Sequence, residues 1–168
     1  MAPSPEATSQ RLMKSIADST ALEQLIERLN GLEPDTPRKW GTLTAGEMLC
    51  HLGDATSSVL KRGATEGTDP SPAATQRHPV LKWIALRSPL PWPQGLKTPA
   101  AVDPHVAGTE AGDFEADRDR AITGLRTFAA APPSSLAASH GAFGKMNIED
   151  WHRWAYRHTD HHLRQFGL

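Results

Sequence analysis

Three histidines stand within five positions near the end of the chain, in the stretch WAYRHTDHHLRQFGL: His158, His161 and His162. Two histidines four positions apart on a helix share one face, and their imidazoles can converge on an ion about 2.0–2.1 Å from each nitrogen. Two ligands do not hold a metal, so a third must come from elsewhere. His51, in LTAGEMLCHLGDATSSVLKRG, is the best candidate because Met48, Leu52 and Ala55 beside it form an apolar stripe. His51 with His158 and His162 would make a three-histidine centre with one position open, the pattern of a catalytic zinc rather than a closed structural one. The competing reading is plainer: core histidines bonded to ordinary neighbours, with their spacing an accident of a histidine-rich chain. Burying two unpaired imidazoles side by side is costly unless something bridges them, but spacing alone leaves both readings open.

Which histidines face inward depends on the helix that carries them. Steps of three and four from Ile148 pass through Trp151, Ala155, His158, His162 and Gln165, one stripe whose first members are apolar. His161 falls about 60° from His158 and about 100° from His162, towards the edge of that stripe. Asp160 and Arg164 form an i, i+4 pair on the solvent side. Asn147 is a good N-cap, and Glu149 and Asp150 complement the dipole in the first turn, so the spacing predicts a helix to about Phe166.

Three more long helices are predicted. Residues 9–30 place Leu12, Ile16, Leu22, Leu25, Ile26 and Leu29 at helical spacing, with Gly31 as a stop. Thr44 followed by Glu47 reads as a reciprocal cap opening a helix over about 44–61. Residues 113–130 open with acids, show Phe114, Ala121, Ile122, Leu125 and Phe128 on one face, and stop at Pro132 and Pro133. Between the second and third of these lies a crossover, 62–112, holding eight of the fourteen prolines; only Pro79 to Arg87 can form a short helix there. Its Trp83, Ile84, Leu86, Leu90 and Trp92 are too apolar for a solvated linker, which predicts a lid or wall. No segment alternates as a strand. The expected class is therefore all-α, a four-helix bundle in one domain spanning 1–168, with 1–8 expected to be disordered.

Composition narrows the partners. A net charge of −1 offers no basic surplus for a phosphate backbone, so nucleic acid is not expected. The N-terminus lacks the apolar run of a secretory signal and no stretch is long enough to span a membrane, which predicts a cytoplasmic protein without a membrane partner. Cys50, the single cysteine, reads as a small buried hydrophobe.

KWGTLTAGEMLCHLGDA, HGAFGKMNIEDW and HTDHHLRQFGL, in that order, resemble the DinB-like superfamily of metal-binding four-helix bundles, and within it the branch whose members end in a DHHLRQFG-type sequence; GLKTPAAVD adds weaker support. The resemblance implies a metal held by one histidine of the second helix and two of the fourth, which map onto His51, His158 and His162. Members with known activity use a low-molecular-weight thiol, in S-transfer to electrophiles or in maleylpyruvate isomerisation.

The expected function is therefore a metal-dependent enzyme of S-transferase type acting on a small electrophile. A hydrolase using activated water is the alternative, with Glu47 or Asp54 as candidate bases, although Glu47 is better explained by its cap and Asp54 by orienting a histidine or by solvent. A bundle that binds metal or ligand without turnover is the third reading. Zinc is the expected ion, with nickel, iron and manganese also suited to imidazole. Trp83 and Trp92 are candidate walls of the ligand pocket, His140 a candidate for its mouth, and Gln165 either donates to a ligand or closes the core. His152 is expected to be solvated or packed on a partner, and His78 and His105 to have no role. A homodimer is expected.

Overall fold

The computed structural model describes residues 14–66 and 79–168. The expected start of the first helix at residue 9 and the expected disorder over 1–8 fall outside these residues, as does His78. Helix α1 runs Ser19–Asn30. Residues 14–18 are not helical, because Asp18 sits in extended conformation and accepts the Thr20 N–H at 2.9 Å, capping the helix there. Ile16 is still buried; its N–H donates to the His152 carbonyl at 3.3 Å, which ties the incoming chain to the last helix.

Helix α2 is Ala45–Glu66. Thr44 and Glu47 make the reciprocal cap, with the Thr44 N–H donating to Glu47 Oε2 at 2.7 Å and the Glu47 N–H to Thr44 Oγ1 at 3.3 Å. The helix outruns its expected end by more than a turn. Gly63, within the helix, is a point of close approach, where a Cβ would lie 2.2 Å from the Ser135 carbonyl oxygen.

Helix α3 is Pro79–Arg87, α4 Phe114–Ala130 and α5 Ile148–Gln165, with a single 3-10 turn over Ala100–Val102 and another over Pro133–Ser135. Asp113 caps α4 through the Ala116 N–H at 2.8 Å. Asn147 and Asp150 form a full capping box on α5. Two strands, β1 (Ser139–His140) and β2 (Gly144–Lys145), pair antiparallel around a tight turn that Gly144 closes at φ 70°. Two residues each is too short for alternation to show.

The fold is all-α. Helices α1, α2, α4 and α5 form the bundle, with α2 lying along α4 and α1 against α4 and α5. The core between them holds Leu25, Leu29, Met48, Leu49, Phe128, Trp151 and Leu163. Helix α3 packs on α5 and is fastened there by charge: Lys82 Nζ lies 2.5 Å from Asp150 Oδ2 and Arg87 Nη2 2.8 Å from Asp150 Oδ1. Arg157 of α5 donates to the carbonyls of Ser88 and Leu90. Asp54 of α2 accepts from the backbone and hydroxyl of Thr109 and from Arg120. The crossover after α3 is thus stitched to the bundle at both ends. Among the described residues, no helix is long and apolar enough to cross a membrane.

Candidate metal centre

His51 projects from the buried stripe of α2 and His158 and His162 from that of α5, where Trp151, Ala155 and Gln165 are also buried. The three histidines meet: their candidate ligand atoms all lie within 4.8 Å of one another, and His51 Nε2 is 3.0 Å from His158 Nε2. Two nitrogens bound to one tetrahedral ion stand about 3.4 Å apart, so the donor set is already near the separation an ion would impose. The second nitrogen of two rings is spent on oxygens. His51 Nδ1–H donates to the Val102 carbonyl at 2.8 Å, and His162 Nδ1–H to Gln165 Oε1 at 2.8 Å. Since a carbonyl only accepts, both rings carry their hydrogen on Nδ1 and turn an Nε2 lone pair inward, the arrangement that orients a metal ligand. The third ring is set by stacking, with Trp154 parallel to His158 at 4.8 Å between centroids and 10° between planes.

Burial keeps all three rings uncharged. It lowers His51, with the Val102 bond acting against the shift. It pushes His162 down to about 3, helped by the neighbouring His51. It holds His158 well below the ordinary range, and the closeness of His162 and His51 reinforces this, since a proton on either ring would repel a second. Neutral imidazole is the ligating form, so no proton competes for these nitrogens near neutrality. The residues present therefore fit a divalent cation.

The remaining expected site residues divide. Trp92 stands 6.2 Å from His158 and 5.8 Å from His161 between centroids, and its Nε1–H donates to the Ala85 carbonyl at 2.8 Å, which fixes it to α3 as a wall. Trp83 does not reach the histidines. It is 57% exposed, because the ion pairs of Lys82 and Arg87 with Asp150 turn the other side of α3 inward. His140, at the hairpin, stacks on Phe143 at 4.5 Å and lies 5.9 Å from Trp154, one ring removed from His158. Burial, then the charge of Arg62, pushes it down to about 4. Gln165 serves His162 directly. Gly41, at φ 85°, lets the loop before α2 close over that side chain, since a Cβ there would meet the Gln165 amide nitrogen at 2.8 Å.

His161 turns to the edge, 4.8 Å from Trp40. His152 is buried rather than solvated, 7% exposed beneath the entering chain at Ile16. His105 pairs with Glu47 at 2.9 Å. Cys50 is fully buried, and burial followed by nearby Asp117 pushes its thiol up to about 11, so it is inert packing. Val102 leaves no mark in residue type because its role is played by a backbone oxygen, so sequence reasoning misses it; Trp154 lies one turn before His158 and is legible as i, i+4 spacing.

A sequence model of the DinB superfamily matches residues 17–166. The chain belongs to the DinB superfamily. No curated protein and no solved structure matches it. For a DinB protein with this ligand geometry, Gln165→Leu is expected to weaken divalent-metal affinity by roughly 10–100-fold while leaving the fold intact, because His162 loses the acceptor that orients it. Competition against a chromophoric chelator measures this; an unchanged affinity would show that Gln165 merely fills space.

Proposed function

We propose that this DinB protein is a zinc-dependent enzyme of the cytoplasm that joins a low-molecular-weight thiol to a small electrophile. The observation that carries the reading is the convergence of three neutral imidazoles with no carboxylate among them. Such a set leaves room for an outside ligand, as catalytic sites do and structural ones do not. A divalent ion held there supplies positive charge that lowers a thiol's pKa and keeps the thiolate available at neutral pH.

The chain's own groups do the rest. His51 and His162 present their Nε2 atoms because Val102 and Gln165 hold the opposite nitrogens. Trp154 fixes the plane of His158. Trp92 and Phe143, 6.5 Å apart, give the approach an apolar wall that excludes water. In the transfer, sulfur forms a bond to the electrophilic carbon, and the leaving group departs with the bonding pair and the proton that the thiol gave up. The acids that could serve as bases for water are engaged elsewhere, Glu47 with its cap and His105, Asp54 with Thr109 and Arg120, Asp103 with the His105 backbone N–H. That favours a nucleophile brought in by a second substrate.

Elemental analysis of protein purified without a histidine tag is expected to find one zinc per chain. Calorimetric titration with small thiols is then expected to give binding to the zinc-loaded form and none to the apo form. Zinc-loaded protein that ignores every thiol offered, while still holding its ion, would overturn the thiol reading and leave the centre standing.

A further inference from the structure

Three polar side chains follow one another along a face of α2 at i, i+4 and i+7: Glu47, His51 and Asp54. Each holds the same piece of the crossover. Glu47 Oε1 lies 2.9 Å from His105 Nε2, His51 Nδ1–H donates to the Val102 carbonyl, and Asp54 accepts the Thr109 N–H at 2.6 Å and the Thr109 hydroxyl at 2.8 Å. Residues 102–109 are thus a strap laid along the helix that bears one histidine of the centre, and that histidine is its middle fastening.

The strap is tight in itself. The Asp103 carbonyl accepts the N–H groups of Val106, Ala107 and Gly108 at 2.9, 3.1 and 2.8 Å, and the Asp103 carboxylate accepts the His105 N–H at 2.9 Å. Gly108 returns so near the start of the turn that a Cβ there would lie 2.8 Å from the Asp103 carbonyl carbon and 2.9 Å from that of Val102. Backbone at that distance leaves no room for a side chain, so position 108 requires glycine. The second of those carbons carries the oxygen that His51 uses, and a methyl group at 108 would press directly on it. Asp54 secures the strap's other end. Its Oδ1 also accepts from Arg120 of α4 at 2.9 Å, so the carboxylate is held from two sides and touches His51 only by way of the strap. The Glu47 fastening is looser, since His105 is half exposed and Glu47 also serves its own cap.

We propose that Asp54 and Gly108 are positioning residues of the histidine centre: they seat the strap whose Val102 carbonyl holds His51 in its ligating tautomer. The proposal rests on the reading of His51, His158 and His162 as a metal site. Linkage makes the effect reciprocal, because whatever affinity the seated strap adds, bound metal returns as protection of the strap.

Chelator competition on the full chain, with zinc as the probe metal, is expected to show Asp54→Ala and Gly108→Ala each weakened about 10-fold, the lower end of what lost support behind a ligand costs. Asp54→Asn keeps an oxygen for Thr109 and is expected to fall between Asp54→Ala and the unaltered protein. Nitrogen-15 NMR of the metal-free protein is expected to find His51 protonated on Nδ1, and to find that preference lost in both alanine variants. Hydrogen exchange at Val106, Ala107 and Gly108 of the unaltered protein is expected to slow when zinc is added. A merely structural role would lower the melting temperature without moving the His51 tautomer. Alanine variants that match the unaltered protein in affinity and tautomer overturn the proposal. So do equal losses in Asp54→Asn and Asp54→Ala beside a silent Gly108→Ala, which would assign the effect to the charge of Asp54. Unaltered protein that takes up no zinc overturns the centre itself, and the chelator readout separates that failure from the other two.

Discussion

The His162→Ala variant is expected to lose its affinity for a divalent metal, and His158→Ala with it, whereas His161→Ala keeps most of that affinity. The first two delete a nitrogen from a set of three, so the loss should exceed the roughly 10–100-fold that follows when a ligand merely loses its hydrogen-bond partner. His161 packs its ring between Trp40 and Trp92 at the edge of the centre and contributes none of the converging nitrogens. Neither ligand deletion strands a buried charge, because burial already keeps both rings neutral. Folding should survive, and chelator competition together with far-ultraviolet circular dichroism separates loss of metal from loss of structure. If His161→Ala released the ion and His158→Ala retained it, the inward face assigned to α5 would be wrong.

The largest effect on stability is expected at Trp151. Its side chain is 1% exposed, meets Phe128 and Trp154 edge to face at 6.2 and 5.3 Å, and donates its indole N–H to the Ala137 carbonyl at 2.7 Å. Trp151→Ala combines a cavity with an orphaned carbonyl, and large aromatic deletions of this kind cost about 3–5 kcal/mol. That is a large part of the roughly 5–15 kcal/mol a domain possesses. Trp151→Phe keeps most of the volume and should cost less, about 1–3 kcal/mol for the unsatisfied oxygen. Urea denaturation of the apo forms reads both. A loss below about 1 kcal/mol for the alanine variant would mean that α5 is not anchored through this residue.

Much of the centre is legible in residue order because it is built from periodic elements. The stripe from Ile148 to Gln165 places His158 and His162 inward by arithmetic, and the Thr44–Glu47 pair and the Asn147 cap announce the starts of the helices that carry all three ligands. What is not legible depends on contacts between distant parts. The last turn of α2, past the expected end near residue 61, is one such case, with Gly63 lying against the Ser135 backbone. Apolar spacing alone starts α1 too early, because it runs past Asp18, a cap that competes with it. In α3, counting apolar residues turns Trp83 inward; the pull of Asp150, nearly seventy positions away, on Lys82 and Arg87 decides otherwise. The hairpin at His140 is too short for any pattern.

The bond from His51 to the Val102 carbonyl places unusual demands on the gene rather than on the side chain it encodes. Every amino acid carries that oxygen, so replacements at position 102 leave it in place, and drift in residue identity there is tolerated. What the bond cannot tolerate is a change in the count of residues between the α3 anchor and the 3-10 turn, since one peptide unit more or fewer swings a different atom over the imidazole. Insertions and deletions within this interval should therefore disable the centre where point substitutions do not.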